Sequence, residues 1–280
     1  MKANPLAIWL WYRGGAFRGF QRQPKGLTVQ GRLEEALAAA GVGATPSPAG
    51  RTDRGVHARM QVVSARTGAP VSLDSVREAI DRVAPGALGA VACRRAHPSF
   101  HAQWGAEGKE YRYRLALGGG LPPEPWRPYC WNPLEHPRLL DRPPPSPERV
   151  AELLRRAEGQ RDFWAFHEKA SARKARRLHS AELWPLEGLP GLFEARLRGD
   201  SFGRYQVRYL VGGAAAVACG ALSEQEWEDA LGSAREIPGL KAPPEGLVLW
   251  SVAYPEALDP FTREERARAE GLPPGPPFSP

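Results

Sequence analysis

Between Leu6 and Ala96 the chain alternates between strand-like and helix-like stretches, and that alternation limits the folds open to it. Leu6-Ala7-Ile8-Trp9-Leu10-Trp11-Tyr12 is a β-rich apolar run closed by Gly14-Gly15, as a buried first strand would be. Thr28 can cap a helix through about Ala40, with Val29, Leu33, Ala36, Leu37 and Ala40 on one face. Arg59 to Ala65 is a second strand. Ser72 starts a second helix whose inner stripe is Leu73, Val76, Ile80 and Val83. Pro85-Gly86 ends that helix, and Ala87 to Ala96 is a third strand. This order describes a sheet covered on one face by helices.

The stretch Ala49-Gly50-Arg51-Thr52-Asp53-Arg54-Gly55-Val56-His57-Ala58 interrupts the pattern before the second strand. It follows a Gly, Ala, Thr, Ser and Pro run that suits a loop. Asp53 therefore sits on a glycine-hinged loop leading into a sheet, where a side chain can be aimed into a cleft. Arg51 and Arg54 flank it, and nearby positive charge favours an ionised carboxylate. Such a group suits a nucleophilic, electrostatic or weakly basic role and does not suit a general acid. Local physics alone allows a simpler reading, a loop Asp that caps a turn and carries a surface ion pair.

The second half carries the same style of elements. Lys109 to Leu117 alternates Tyr111, Tyr113, Leu115 and Leu117 against Arg112 and Arg114, the period of a strand. Tyr113 is expected in the core, and Tyr111, near the strand's start, is better placed to reach a cleft. Leu121 to Pro147 is Pro-dense and without period, a long irregular excursion. Pro147 opens a helix with Val150, Leu153, Leu154 and Ala157 inward. Arg173, Lys174, Arg176 and Arg177 form a basic cluster ahead of a strand near Leu178–Pro185. It suits a solvated loop or a grip on phosphates. Another strand, Leu192 to Arg198, sets Phe193, Ala195 and Leu197 against Glu194, Arg196 and Arg198. A long helix is expected from Ser201, with Phe202, Tyr205 and Tyr209 on one side and Arg204 and Arg208 on another. Ser223-Glu224-Gln225-Glu226 is a capping box, Gly246 leads into a buried strand, and the Pro-rich stretch beyond Tyr254 is expected to be loosely held.

Composition narrows the function. The 280 residues suffice for one large domain or two smaller ones, and the net charge of +7 comes mainly from Arg. Guanidinium groups read phosphate bidentately and stack on bases, so an Arg-rich basic protein points to phosphate-bearing partners. A GC-rich genome would also raise Arg, Ala, Pro and Gly together. Cys93, Cys130 and Cys219 are odd in number and widely spaced, which signals a reducing compartment with neither a disulfide framework nor a zinc site. The scattered histidines add no metal motif. The apolar run Leu6 to Tyr12 is too short to span a membrane and is followed by no cleavage site, so the expected location is cytoplasmic.

Five separated segments, in order, resemble the tRNA pseudouridine synthase A family. They are Gly19-Phe20-Gln21-Arg22-Gln23 with Thr28-Val29-Gln30; Gly50-Arg51-Thr52-Asp53 to Ala58; Ser99-Phe100-His101-Ala102 with Lys109-x-Tyr111-Arg112-Tyr113; Val207-Arg208-x-Leu210-Val211-Gly212; and Ala242-Pro243 with Gly246-Leu247-x-Leu249. The resemblance implies an α+β fold of the pseudouridine-synthase kind, two sheet-plus-helix subdomains forming a continuous mixed or antiparallel sheet with a central basic cleft. The expected division is 1–105, with the catalytic loop 49–58; 106–256, with the Pro-rich insertion 121–147; and a tail, 257–280.

The resemblance further implies isomerisation of uridine to pseudouridine in the tRNA anticodon stem-loop, by a homodimer needing neither cofactor nor metal. Asp53 would be the catalytic residue, as nucleophile or as base at the sugar. Arg51 or Arg208 would hold it ionised and in position. Tyr111 would stack on the uracil and Leu247 would wall the pocket. Arg22, Arg54, Arg173, Lys174, Arg176, Arg177 and Arg204 would hold RNA around a flipped-out base. The chain departs from common family wording at Arg13, Phe20, Arg54, Gln103 and Gln206. Arg54, beside Asp53, is expected to bear on substrate range or on the base strength of Asp53. The competing reading is a non-catalytic RNA-binding protein on the same scaffold. A retained Asp53 argues against it, because pure binding of a polyanion has no use for a carboxylate.

Overall fold

The computed structural model describes residues 5–68, 70–119, 121–168, 174–232, 240–268 and 271–278. The chain forms two compact units, one of residues 1–109 with 248–279 and the other centred on 110–247.

In the first unit, β1 (Pro5–Tyr12) is buried along its whole length. It lies between two antiparallel neighbours, β3 (His57–Arg66) and β4 (Leu88–Arg95), with the two-residue β2 (Ser47–Pro48) pairing the far side of β3. A strand flanked on both edges and covered on both faces can be apolar throughout, and β1 is. Two helices, α1 (Val29–Ala39) and α2 (Leu73–Val83), pack on one another, and α2 packs on β4. Thr28 and Ser72 cap them as expected, accepting from the N–H groups of Gly31 and Ser75 at 3.2 and 3.3 Å. Such a cap contributes about 1 kcal/mol.

The second unit takes up the chain along β5 (Gly108–Ala116). The Pro-rich excursion that follows holds two short 3-10 turns and folds back on this strand. Trp131 exchanges backbone bonds with Ala116 and Arg114, and Trp126 packs with Ala116 and Leu192. The excursion is therefore a cover for the end of β5. Beyond it come α3 (Pro147–Arg156), capped by Ser146, and the strands β6 (Gly159–Arg161), β7 (Arg176–Pro185) and β8 (Leu192–Gly199). The order in this unit is β5-β8-β7-β6, with β6–β7 and β7–β8 antiparallel. Helix α4 (Gln206–Ala218) packs on α3, and α5 (Glu224–Gly232) packs on α4. Ser223 and Glu226 exchange the two bonds of a capping box.

The chain then returns to the first unit. There β9 (Leu247–Ala253) runs parallel to β3, with His57 opposite Val248 and Ala58 opposite Leu249, which makes that sheet mixed. A short helix, α6 (Arg263–Arg268), follows.

Three expectations are corrected. The helix expected from Ser201 begins at Gln206, because Tyr205 takes a left-handed conformation (φ 64°) that ends any continuation toward the N-terminus. Phe202 and Arg204 thus lie outside it. The strand β8 does not divide into an apolar and a polar face, because Glu194 is as deeply buried as Ala195 and Leu197. The stretch beyond Tyr254 is docked. Phe261 meets Trp9 edge-on at 5.8 Å, Phe278 meets Trp11 at 5.9 Å, and both phenylalanines are buried. Trp9 and Trp11 share one face of β1, so this segment supplies that face's cover.

Candidate active site

The Asp53 loop is shaped from below by the end of β1 and the turn after it. Gly14 lies so close to the loop that a Cβ there would come within 2.2 Å of the Val56 carbonyl oxygen. Its N–H donates to Nδ1 of buried His57 at 3.0 Å. Gly19 has φ 97°, and its added Cβ would meet the Thr52 carbonyl oxygen at 3.0 Å. Both positions require glycine because the two segments touch through backbone. Phe20 N–H donates to the same Thr52 carbonyl at 3.0 Å. The loop turns over Arg54-Gly55, where Val56 N–H reaches the Asp53 carbonyl at 3.1 Å and Gly55 has φ 84°.

A buried polar network fixes the other side. The Tyr12 and Thr52 hydroxyls are 2.7 Å apart. The amide of Gln61 donates to the Tyr12 hydroxyl at 3.2 Å and to the Gly50 carbonyl at 2.7 Å. Burial pushes the Tyr12 phenol up to about 12, against the opposing effect of its bonds to Thr52 and Gln61. It is therefore a neutral structural anchor at physiological pH. Asp53, one residue beyond Thr52, is half-buried, while Arg51 and Arg54 on either side are exposed.

The stem of Lys109 covers Gly50, its Cε 3.3 Å from where a Cβ would stand, and desolvation lowers its ammonium below the usual lysine range. Neither Lys109 nor the Tyr12–Thr52–Gln61 network is a sequence-predicted site feature. Thr52 and Lys109 fall in segments that carry the family resemblance, and Gln61 stands between apolar Met60 and Val62, but the sequence does not join them.

In the second unit, Arg208 is buried on the first turn of α4. Its Nε donates to the Ala242 carbonyl at 2.6 Å, and Ala242 N–H donates back to the Arg208 carbonyl at 3.1 Å. The Tyr205 ring lies under three cations, with Lys241 Nζ at 3.8 Å and the guanidinium carbons of Arg204 and Arg208 at 4.7 and 5.1 Å. Those contacts hold the left-handed turn that starts the helix, together with the Gly203 N–H bond to Gln206 Oε1 at 2.7 Å.

Tyr111 is buried and meets Phe202 edge-on at 5.1 Å. Tyr113 is core, its hydroxyl donating to the Pro243 carbonyl at 2.7 Å. Gly246 is pressed so tightly on β5 that a Cβ would stand 2.7 Å from the Arg114 carbonyl oxygen. Leu247, next in the chain, is buried.

The expected RNA-contact residues divide. Lys174, Arg177 and Arg204 are exposed, and Arg176 is half-buried. Arg22 is exposed and pairs with Glu34 at 2.9 Å. Arg173 lies outside the described residues. Among the described residues no three of His, Cys, Asp and Glu come together as metal ligands, and no helix is long and apolar enough to cross a membrane.

Comparison with known proteins decides the family. A protein from Thermus thermophilus named tRNA pseudouridine synthase A is 38% identical over 251 residues, covering 88% of this chain and 94% of the relative. The chain belongs to the tRNA pseudouridine synthase A family. A Solibacter usitatus protein of the same name is 32% identical, covering 89% of this chain and 99% of its own. The model of the tRNA pseudouridine synthase family matches residues 153–255, which include Arg208 and Leu247. A structure titled "Crystal Structure of a Cbf5-Nop10-Gar1 Complex" overlaps 76% of this chain and 44% of its own at 14% identity, with a TM-score of 0.33, too low for any argument to rest on it. Gly50-Arg51-Thr52-Asp53, one of the segments that carry the resemblance in the sequence, falls on the loop that the Tyr12 network and the two glycines hold.

Proposed function

We propose that this protein isomerises uridine to pseudouridine in the anticodon stem-loop of tRNA, with Asp53 as its catalytic residue. Isomerisation of uridine in tRNA rests on the 38% identity across nearly the whole of a tRNA pseudouridine synthase A. The assignment of Asp53 rests on its place in an ordered, glycine-shaped loop carrying the family wording.

The reaction breaks the N1–C1′ bond, turns the uracil and joins C5 to C1′. The proton on C5 leaves and N1 gains one, so no electron carrier enters the balance. An ionised Asp53 would act either by attacking C1′, displacing uracil until C5 displaces the carboxylate in turn, or by taking a proton from the sugar. Arg51 and Arg208 would keep the carboxylate ionised and in place. Tyr111 would stack on the uracil and receive or relay the C5 proton, and Leu247 would wall the base. Arg22, Arg54, Lys174, Arg176, Arg177 and Arg204, with Arg173, would hold the phosphates while the target nucleotide is flipped out. We further propose a cytoplasmic homodimer. The three free cysteines, two of them buried, suit a reducing compartment.

Tritium release from tRNA carrying C5-labelled uridine tests the reading, with Asp53→Ala as the comparison. Release by the wild type alone is expected. Tight tRNA binding with no release from either would sink the enzyme reading, and equal release from both would remove Asp53 from the chemistry.

A further inference from the structure

We propose that Trp104 is a stacking platform for an unpaired base of the tRNA, a contact that rests on the function proposed above. Its indole is 81% exposed, well beyond the other exposed large hydrophobic side chains among the described residues. One face lies on the imidazole of His101, with ring centroids 4.0 Å apart and planes 14° from parallel. The other face is open to whatever docks there. Leaving an indole in water forgoes burial worth more than that of almost any other side chain.

The ring is held by a turn that is anchored at every residue from Phe100 to Gly105 except Gln103's side chain. Phe100 is buried against Tyr254 at 5.1 Å. The Tyr254 hydroxyl donates to the Ala102 carbonyl at 2.8 Å, and Ala102 N–H donates to the buried Ser64 hydroxyl at 3.2 Å. His101 Nδ1 accepts the N–H groups of Gln103 and Trp104 at 3.1 and 3.2 Å, and its carbonyl accepts Gly105 N–H at 2.9 Å. The imidazole that carries the indole thus also fixes the backbone beneath it. A ligand stacking on a surface so pre-organised loses little entropy in ordering it.

The chemistry of the surroundings selects a nucleotide. Exposed Arg66, at the end of β3, is anchored to the Pro98 carbonyl at 3.2 Å and sets a positive charge near His101, suited to a phosphate beside a stacked base. Trp184, the other exposed indole, differs. It is covered by Arg196 at 5.3 Å and its N–H is bonded to Glu182 at 2.9 Å. Stacking on an aromatic ring tolerates any base, because each has a π-face. Trp104 would therefore add affinity for an unstacked nucleotide without choosing the sequence.

The test measures tRNA affinity and melting temperature for wild type, Trp104→Ala and Trp104→Phe, with sedimentation of each. The expected result is about a tenfold loss of affinity in Trp104→Ala, with Trp104→Phe within about twofold of wild type. Melting temperature should hold in both, since the side chain is exposed. Equal affinity in wild type and Trp104→Ala would overturn the platform. So would an oligomer that dissociates only in Trp104→Ala while affinity per folded chain holds, which would give the ring to a second copy. Tritium release by the wild type is scored separately, so a failure of the proposed function and a failure of the platform remain distinguishable.

Discussion

Asp53 and Glu194 both have arginine within two residues in the sequence, yet the fold surrounds them in different ways. Glu194, on β8, is 1% exposed and takes ion pairs from Arg196 at 2.9 Å, Arg114 at 3.0 Å and Arg112 at 3.1 Å. Glu110 continues the ladder through Arg112 at 2.7 Å and Arg198 at 3.1 Å. Asp53 is half-buried on a loop whose own arginines, Arg51 and Arg54, face solvent. Its loop is positioned through neutral groups: the Thr52 hydroxyl and carbonyl and the Gly50 carbonyl. Glu194 is the carboxylate on which three arginines of one sheet converge, buried Arg114 among them. The bonds that hold Thr52 and Gly50 are made by hydroxyl, amide and carbonyl groups and do not use the Asp53 carboxylate. The comparison also shows that Arg content overstates the RNA-facing charge, because Arg112, Arg114, Arg196 and Arg198 are engaged within one sheet.

The largest test of this contrast exchanges carboxylate for amide at each site. Asp53→Asn should lower tritium release at least about a thousandfold while the melting temperature holds. Glu194→Gln should do the reverse. It breaks the buried ion pair with Arg114, at a cost of roughly 3–5 kcal/mol in denaturant unfolding. The chains that remain folded should turn over at close to the wild-type rate. An Asp53→Asn protein as destabilised as Glu194→Gln would break the distinction.

How far the sequence disclosed these roles depended on the range of the forces involved. Helices α1, α2 and α3 were legible because Thr28 and Ser72 cap the first two, Pro147 opens the third, and their apolar residues recur at helical spacing, all local properties. The turn at Tyr205 was not. No glycine marks its left-handed backbone, which is held by Lys241, thirty-six residues on in the chain. Glu194 was expected on a polar face because alternation is local, whereas its arginine partners on β5 depend on strand pairing. The docked end of the chain was hidden for a similar reason, since Phe261 and Phe278 are isolated in a Pro-rich stretch and meet tryptophans near the opposite terminus. The loop that carries Asp53 was legible from the glycines and small residues around it, and the network beneath it was not, because Tyr12, Thr52 and Gln61 come from three separate segments.

Alkaline titration sharpens the contrast on the Asp53 side. Burial disfavours the phenolate and pushes the folded Tyr12 phenol up to about 12, from the usual tyrosine value of about 10. The native state therefore holds its proton more tightly than the unfolded chain does. The resulting stability is complete below pH 10 and is lost as pH rises from there through about 12, amounting to roughly 2–3 kcal/mol. Tyr12→Phe should remove this part of the alkaline decline, which unfolding free energies measured from pH 8 to 12 would detect. An unchanged decline would mean that Tyr12 ionises freely and that the loop has a different anchor.

The smallest expected effect is the most selective. Thr52→Val keeps the shape of the side chain and removes its hydroxyl, leaving the Tyr12 hydroxyl only its bond from Gln61. Loss of one buried hydrogen bond costs about 1 kcal/mol of stability. Thr52 directly precedes Asp53, so loosening it should let the carboxylate wander and lower kcat several-fold, with KM for tRNA nearly unchanged. A matching loss at the second site, through Arg196→Ala beside Glu194, should move stability and leave kcat in place. If Thr52→Val raised KM and spared kcat, the network would belong to substrate binding, and the view that neutral hydrogen bonds aim Asp53 would fail.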